Sequence, residues 1–279
     1  MGPLMVFMGM FSLLPILYAL YISLHGWGFA EGPEFVGIGN YQRALSGTDP
    51  LFYKSLWNTL KFVLLTIPAT NALAIVVAKL ITKSGRWEPL FRTAFFLPVV
   101  TNIVAVCLLW EFFYRGDGSG LFNGILALVG VPNQLWLRDA NLAMPSIALM
   151  QVWNGLGFSV ILYTAGLKNI PRTYYDAAKV DGAEAMGRFF YVTVPLLMPT
   201  ITFCIVTGTI GAFQVFGQVL IMTSGGPLNA TRTIVYHLYT AAFDYFNMGY
   251  ACAMAFILLA VIGLFTVILF RLTRTEWEY

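Results

Sequence analysis

Long runs of apolar residues recur along the chain, and shorter polar stretches separate them. Six of these runs reach the roughly 20 residues that a helix needs to cross a hydrocarbon core. Their ranges are 3–24, 59–81, 93–113, 142–167, 200–222 and 248–270. Backbone amides in lipid must be paired within their own segment, so helix is the expected conformation. The pattern therefore predicts an all-α membrane protein with six transmembrane helices in a single domain over 1–279.

The first run is too long, and too plainly followed by further spans, to be a cleaved signal peptide. It lacks the basic flank that usually precedes such a run, which leaves a longer natural N-terminus open.

The polar insert 168–199 combines helix signals with a dense mixture of both charge signs. Pro171 suits a helix start, because a residue in the first turn needs no amide donor. We predict a short helix over 172–181 and a second one over 183–191. Gly182 lies between them and adopts backbone angles that other residues avoid, so it suits a turn. The insert is therefore predicted to form a helix–turn–helix elbow.

Small residues give this elbow a nearly bare surface at Ala177 and Ala178, and Pro195 and Pro199 mark the start of the next apolar run. A bare helical surface suits docking into a groove of a partner. Shape alone favours an ordinary connecting loop, since short loops are the default connection.

Basic residues orient the bundle, because cytoplasmic loops carry an excess of them. One set of connections holds Lys79, Lys83, Arg86, Arg92, Lys168, Arg172, Lys179, Arg188, Arg271 and Arg274. The opposite set is spread over longer connections and holds Arg43, Lys54, Lys61, Arg115, Arg138 and Arg232. The elbow and the C-terminus are therefore predicted to be cytoplasmic, and six spans place the N-terminus there too.

Composition narrows the function classes. Charged residues make up 10% of the chain, against about 25% in soluble domains. The net charge of +3 is spread out and forms no basic stripe for nucleic acid. The three cysteines lie inside apolar runs and the two histidines are far apart, so neither disulfides nor a metal site is expected.

The spacing within the elbow resembles the EAA loop of ATP-binding-cassette (ABC) importer permeases. That loop has Glu-Ala-Ala, a glycine four residues later and an Ile-x-Leu-Pro ending. The chain has Asp176, Ala177 and Ala178, then Gly182, then Val-Thr-Val and Pro195 at the same spacing. Asp in place of Glu shortens the acidic side chain by one methylene group, which leaves its engagement with a partner open.

Other connections resemble the carbohydrate-type members of that family, such as the permeases for maltose and glycerol 3-phosphate. The stretch 35–41 is similar to their FVGLxNY sequence, 58–60 to their NTL sequence, and 225–231 to their GGPxxxT loop. The third span's exit is also similar, at Trp110 and 120–123. The resemblance covers most of the chain from 35 to 270.

This resemblance implies a permease subunit in a bacterial or archaeal plasma membrane, with the type I importer fold. A second permease would complete the channel as a heterodimer, and an extracytoplasmic binding protein would deliver a sugar or oligosaccharide. Two separate subunits would bind ATP and Mg²⁺ and would hydrolyse the ATP. Asp176, Ala177, Ala178, Gly182 and Pro195 would couple to them. The chain itself has no Gly-x4-Gly-Lys-Ser/Thr phosphate loop, so it is expected to hold no cofactor and to be no enzyme.

Polar side chains inside the spans are candidates for the translocation path, since they avoid lipid. A stripe at helical spacing is predicted along the fifth span, at Thr200, Cys204, Thr207, Gly211, Gln214 and Gln218. For the threonines and Gly211, helix–helix packing is the preferred interpretation. For Gln214 and Gln218, packing and a wet path are equally open.

The fourth span offers Gln151 and Asn154, whose amides both donate to and accept from sugar hydroxyls. Trp153 lies beside them; an aromatic ring stacks on a pyranose, although contact with lipid or the core is the preferred interpretation here. Asn102 is a similar candidate in the third span. Glu111 lies near the outer end of that span and is interpreted as an interfacial charge.

Basic residues are absent from the middle of every run, which favours a neutral sugar over an anionic ligand. The second permease could supply basic residues, so glycerol 3-phosphate or an acidic sugar stays open. An ion-coupled carrier needs ionisable groups within the membrane, and Glu111 is the sole candidate. A membrane-embedded enzyme needs converging His, Asp or Cys side chains, which the runs do not offer.

Overall fold

A computed structural model of the chain describes residues 2–28 and 32–273. Most of these residues are helical. The strands His25–Gly26 and Glu34–Phe35 form one short antiparallel ladder. Arg274, which belongs to the basic set assigned above to the cytoplasmic side, lies outside the described residues, as do positions 1, 29–31 and 275–279 of the predicted single domain.

Five helices within the described ranges are long and apolar enough to cross a membrane, and a bent pair makes a sixth crossing if it counts as one. Span 1 is Leu4–Ser23, span 2 is Pro50–Ile81, span 3 is the pair Gly85–Val100 and Ile103–Phe113, span 4 is Ala143–Asn169, span 5 is Ala185–Phe213 and span 6 is Met248–Thr273. The all-α membrane architecture predicted from hydropathy is confirmed.

Shorter elements connect the spans. The α-helices are Gly39–Leu45, Leu121–Leu128, Arg172–Val180, Gly217–Met222 and Ile234–Tyr239. Turns of π-helix lie at Gly9–Leu13, Phe189–Thr193 and Thr240–Asp244. The first two of these turns are embedded in spans 1 and 5.

Span 3 is not the straight helix predicted over 93–113, because its two halves meet at 98°. Thr101 and Asn102 are extended at the bend, with ψ of 139° and 129°. The helical hydrogen bonds therefore stop there. The Asn102 side chain accepts a hydrogen bond from the amide of Val104 at 2.8 Å and so caps the second half. Hydropathy does not register such a cap, since apolar residues predominate on both sides of the bend.

Span 5 begins earlier than predicted. The expected separate helix over 183–191 is the first part of one continuous helix, Ala185–Phe213. Pro195 and Pro199 therefore lie inside this helix and do not mark its start. Pro195 has no backbone N–H to donate. It lies close to the π-helical turn Phe189–Thr193, where the helical hydrogen bonds already shift by one residue. The helix can continue because of that shift.

Span 5 also ends earlier than the predicted limit of 222. Its helix stops at Phe213, and a new helix, Gly217–Met222, follows a short break. The predicted polar stripe is therefore wrong as a single face. Thr200, Cys204, Thr207 and Gly211 lie within span 5, Gln214 is the residue that ends it, and Gln218 belongs to the next helix.

Span 4 packs against span 2 and against the first half of span 3. Gly157 permits the second contact, since a Cβ there would lie 2.0 Å from the carbonyl oxygen of Phe95. Tyr163 donates a hydrogen bond to the Asn71 Oδ1 at 2.5 Å across the contact with span 2. Span 1, by contrast, has no buried residue in its apolar stretch, so its surface is left for lipid or for another subunit.

A side-chain clamp closes the end of the bundle away from the helix Arg172–Val180. Asn58, in span 2, donates hydrogen bonds to the carbonyl oxygens of Asn229 and Arg232 at 2.9 and 3.1 Å. The neighbouring Thr59 hydroxyl accepts one from the Ile234 amide at 2.9 Å. Two stretches more than 170 residues apart in sequence are thus joined. They are the same two stretches that resemble the NTL and GGPxxxT sequences.

We predict that Asn58→Ala destabilises this end of the bundle. Asn58 is 3% exposed, so its removal leaves buried carbonyl groups without a donor, at a cost of about 1–3 kcal/mol. Thermal unfolding of the detergent-purified protein measures the loss. The control is Lys54→Ala, which removes an exposed donor to the Leu228 carbonyl oxygen in the same loop. An equal fall in melting temperature for both variants would contradict the clamp.

Candidate functional site

The helix Arg172–Val180, here called the elbow helix, has defined ends. It starts directly after Pro171, whose backbone is extended with ψ of 138°. Its C-terminal turn is closed by Gly182, which has φ of +80°. The amide of Gly182 donates to the Lys179 carbonyl oxygen at 3.1 Å, and the amide of Ala183 donates to that of Ala178 at 2.8 Å. This pair of bonds is the Schellman motif, which needs a left-handed residue at the glycine position.

Exposed positions of the elbow helix and of the turn that follows it carry the acidic and small residues of the EAA-like sequence. Asp176, Ala177 and Gly182 are exposed, and Ala178 is half-buried. The Asp176 carboxylate accepts a hydrogen bond from the Lys179 ammonium at 2.8 Å. This bond, with the charge of Lys179, holds the pKa of Asp176 below its ordinary value. The acid is therefore ionised at neutral pH and is paired within its own helix.

Two contacts fix the elbow helix to span 5. The hydroxyls of Tyr175 and Thr193 are hydrogen-bonded at 3.1 Å, and Thr193 is buried. The Arg188 guanidinium donates to the Ala183 carbonyl oxygen at 2.5 Å and so holds the turn against the start of span 5. Pro195 lies apart from the other four predicted coupling residues, half-buried within span 5. The other four, Asp176, Ala177, Ala178 and Gly182, lie on the elbow helix and in the turn that closes it.

The structure joins two of the predicted path residues directly. Gln218 donates a hydrogen bond from its Nε2 to the Oε1 of Gln151 at 2.7 Å, and both residues are half-buried. The bond links the helix Gly217–Met222 to span 4. Gln214 is exposed at the end of span 5 and is separated from Gln218 by the break.

The two asparagines serve the bend in span 3. Asn102 is exposed and caps the second half of that span, as described above. Asn154, in span 4, donates a hydrogen bond to the Pro98 carbonyl oxygen at 2.9 Å. That carbonyl lies in the last turn before the bend, where a helix leaves acceptors unsatisfied. Both side chains therefore stabilise the bend.

Trp153 packs against another tryptophan. Its ring centre lies 5.7 Å from that of Trp110, and its residue is 38% exposed. It lines an apolar cavity of about 480 Å³ between spans 3 and 4, together with Pro98 and Thr101. The preferred interpretation of Trp153 as a residue in contact with lipid or core agrees with this apolar lining.

The sequence did not single out a larger cavity of about 940 Å³ at the bundle end away from the elbow helix. Glu111 lines it, together with Arg115, Asp117 and Arg138. Tyr114 also lines it, and burial raises the pKa of its phenol above the ordinary range. Glu111 lies at the end of span 3, and Arg115, Asp117 and Arg138 lie in the connection that follows it. In sequence these four residues look like ordinary interfacial charges.

A buried polar network lies at the same end. The Asp49 carboxylate accepts hydrogen bonds from the Leu51 amide at 2.9 Å, and from His237 Nε2 and the Tyr250 hydroxyl at 2.8 Å each. The Arg232 Nε donates to His237 Nδ1 at 3.1 Å. His237 thus donates from one ring nitrogen and accepts at the other, which is the neutral form of the ring. Asp49 also caps span 2 through Leu51.

In this network, the pKa values of His237 and Asp49 are both lowered. Burial lowers the pKa of His237, and its hydrogen bond to Asp49 offsets only part of that effect. Burial by itself would raise the pKa of Asp49, but the hydrogen bonds from His237, Tyr250 and Leu51 hold it below its ordinary value. The network is therefore built for a neutral histidine and an ionised aspartate.

Comparisons with known proteins agree with this arrangement. Residues 70–275 match the family described as binding-protein-dependent transport system inner membrane component. The probable ABC transporter permease protein YesP of Bacillus subtilis is 35% identical, over 96% of this chain and 87% of YesP. The lactose transport system permease protein LacF of Rhizobium radiobacter is 33% identical, over 98% of this chain and 92% of LacF.

The fold is similar to that of a chain in the crystal structure of a bacterial alginate ABC transporter in complex with an alginate pentasaccharide-bound periplasmic protein. The TM-score is 0.82, with 98% of this chain and 91% of that chain covered. The two sequences are 20% identical, so this likeness concerns the fold alone.

We predict that acid weakens the folded state through His237. An unfolded histidine takes up a proton near pH 6.5, whereas the buried ring resists it, so the unfolded chain binds more protons below that pH. The free energy of unfolding should fall by up to about 1.4 kcal/mol per pH unit as the pH drops from 6.5 towards the lowered pKa. Asp49 adds to the loss only below about pH 4.

Melting temperatures measured between pH 7.5 and pH 5 test this expectation. His237→Gln keeps a donor and an acceptor but cannot titrate, so its melting temperature should change less over this range. His25→Gln, which alters the chain's other histidine, should keep the wild-type slope. A wild-type slope in His237→Gln would assign the pH dependence to another group.

Proposed function

The chain belongs to the family of binding-protein-dependent transport system inner membrane components, and from this membership we propose how it takes part in sugar import. It is a permease subunit of an importer, and it spans the membrane several times. In our proposal, a second permease subunit completes the channel as a heterodimer. Separate ATPase subunits bind and hydrolyse ATP with Mg²⁺, and they drive this chain through the elbow helix.

The exposed surface of the elbow helix supports the coupling role. Asp176, Ala177 and Gly182 are exposed, and the amides of Gly182 and Ala183 close the C-terminal end of the helix with hydrogen bonds. Small side chains permit a partner's backbone to approach closely, and Asp176 can exchange its pairing with Lys179 for a basic residue of the partner. A loose loop would lose much of an applied movement; this helix is tied to span 5 through Tyr175 and Thr193.

Span 5 supports transmission of that movement through the membrane. The helix Ala185–Phe213 is continuous for 29 residues, which is about 43 Å at 1.5 Å per residue. It starts at the turn held by Arg188 and ends at Gln214. A displacement of the elbow helix therefore reaches the far side of the bundle along one rigid element.

The relatives support a carbohydrate as the transported substrate, since LacF is named as a lactose transport permease. A neutral sugar fits the lack of basic residues in the middle of the apolar runs. A second candidate, an acidic sugar, is favoured by one observation: Arg138 lines the 940 Å³ cavity, and among the residues that the structure describes no carboxylate oxygen lies within 4.0 Å of its charged nitrogens. The alginate transporter complex supports delivery of either substrate by an extracytoplasmic binding protein.

The distribution of basic residues supports the orientation. The connections and span ends at the elbow end hold ten of the chain's 16 lysines and arginines. Cytoplasmic loops carry such an excess, and an ATPase that uses cellular ATP reaches the elbow helix only from that side. We therefore propose that the elbow helix and both chain ends are cytoplasmic, and that the 940 Å³ cavity faces the exterior.

We predict that Ala177→Gln weakens the attachment of the ATPase subunits. The longer side chain prevents close approach at an exposed position and touches no buried contact. Co-purification of the ATPase subunits with the permease pair should fall at least about tenfold if close packing supplies about 1.4 kcal/mol or more. ATP-dependent sugar uptake should fall with it.

The matched control is Ala127→Gln, which makes the same change at an exposed position on the helix Leu121–Leu128. It should leave both measurements at the wild-type level. Wild-type co-purification in Ala177→Gln would remove the elbow helix from the interface. Uptake that persists after depletion of cellular ATP would instead favour an ion-coupled carrier.

Substitutions of Gln214 and Asn154 should distinguish an effect on transport from an effect on stability. Gln214 is exposed at the end of span 5, so Gln214→Ala should lower the uptake rate and leave the melting temperature unchanged. Asn154→Ala removes the donor to the Pro98 carbonyl oxygen and should lower stability by about 0.6–2 kcal/mol, as hydrogen bonds within membranes do. Uptake and thermal unfolding measured on both variants decide between these roles. Unchanged uptake in Gln214→Ala would exclude it from the path.

A further inference from the structure

A cavity of about 740 Å³ lies between the elbow helix and the neighbouring ends of spans 2, 4 and 5. Its walls carry an unusual concentration of positive charge. Six basic side chains line it: Lys79, Lys83, Lys168, Arg172, Lys179 and Arg188. Asp176 is the single acidic residue among its lining residues. The chain has 16 lysines and arginines in total, so more than a third of them meet at this one site.

Within the described part of the chain, two of the six cations are paired with a carboxylate. Lys168 contacts Glu88 at 2.6 Å, and Lys179 contacts Asp176 at 2.8 Å. The other four, in the part of the chain that the structure describes, have no carboxylate oxygen within 4.0 Å of their charged nitrogens. Those four are Lys79, Lys83, Arg172 and Arg188.

The unpaired cations also repel one another. Lys79, Lys83 and Arg188 line the same cavity, and like charges at such short range repel one another. Lys79 is held over the ring of Phe189 at 4.3 Å, which keeps its ammonium at the cavity wall. A bound anion would relieve this repulsion, and a phosphate group offers several oxygen acceptors to lysine and arginine donors.

The surroundings of the cavity are those of a membrane interface. Leu80 follows Lys79 directly, and it is 64% exposed at the end of span 2. Phe190 and Tyr191 follow Phe189, and they are 56% and 84% exposed. An anion with an apolar chain would therefore meet basic groups in the cavity and apolar surface beside it. Basic pockets between transmembrane helices bind lipid headgroups in this manner.

We propose that this cavity binds a phosphate-bearing anion, with the headgroup of an anionic phospholipid as its source. The bound headgroup bridges the elbow helix and the ends of spans 2 and 4. It thereby holds the elbow in place against the bundle. Binding of the anion does not depend on the coupling role proposed above.

The experiment uses the assembled transporter in nanodiscs of phosphatidylcholine with a small fraction of phosphatidylglycerol. Native mass spectrometry counts the phosphatidylglycerol molecules that each complex retains. Lys83 is exposed at the cavity wall, so Lys83→Gln should fold and should weaken retention by at least about fivefold, the share of one basic residue near a membrane surface. Lys79→Gln with Lys83→Gln should weaken it further, and Lys83→Arg should restore it.

The matched control is Arg86→Gln, which removes a charge from the same connection outside the cavity lining. In a second experiment, inorganic phosphate is titrated into complexes in nanodiscs of pure phosphatidylcholine, and the heat of binding is measured. Selective loss of phosphatidylglycerol in the Lys83→Gln variant supports the lipid source. Phosphate binding that depends on Lys83, without lipid selectivity, supports the site with a soluble source.

Equal lipid retention in Lys83→Gln and Arg86→Gln, together with no phosphate heat that depends on Lys83, would overturn the proposal. ATPase co-purification is measured on the same samples. A complex that retains phosphatidylglycerol but lacks the ATPase subunits would leave the anion site standing and count against the coupling role alone.

Discussion

The pairing of backbone amides and carbonyls governs this structure, because lipid offers them no partner. Where a span is a continuous helix, the pairing is internal. Where span 3 bends, side chains must take over: Asn102 supplies an acceptor to the second half, and Asn154 supplies a donor to the Pro98 carbonyl oxygen. Two residues that first look like sugar ligands thus have a prior structural task. The backbone hydrogen bonds that a polar side chain makes within the membrane must therefore be identified before a role in transport is assigned to it.

The same requirement shapes the end of the bundle away from the elbow helix. There Asn58 and Thr59 complete the hydrogen bonds of a loop that contains no regular element over 225–231. Next to it, Asp49 and Arg232 are joined through His237. Interactions over such long sequence distances hold the loop in one conformation.

Charge is arranged differently at the two ends. The far end mixes both signs, and its buried carboxylate is hydrogen-bonded to three donors. The elbow end gathers cations around one cavity, and within residues 2–28 and 32–273 four of them have no acidic partner. An excess of positive charge at one site disfavours the charged forms of its own lysines and arginines through mutual repulsion. It is consistent with an environment that supplies negative charge, and the elbow helix lies between that cavity and solvent.

The sequence by itself determined the class of molecule, since run length and charge frequency follow directly from what a hydrocarbon core accepts. It also located the elbow helix, because Pro171 and Gly182 set its ends through local backbone geometry. Motif spacing pointed to the family before any contact was known. These features depend on residues near one another in the chain.

The tertiary structure decided what depends on distant partners. Whether an apolar run is one helix or two rested on a cap at Asn102 and on a donor from another span. Gln218 is hydrogen-bonded to Gln151, which is 67 residues away in sequence. Whether Gln218 lines a translocation path or contacts a neighbouring helix therefore depended on the tertiary structure. The meeting of six cations in one cavity needed the folding of three spans and the elbow together. A hydropathy pattern records the solvent that each residue prefers, and it carries no information on which polar group will lie opposite.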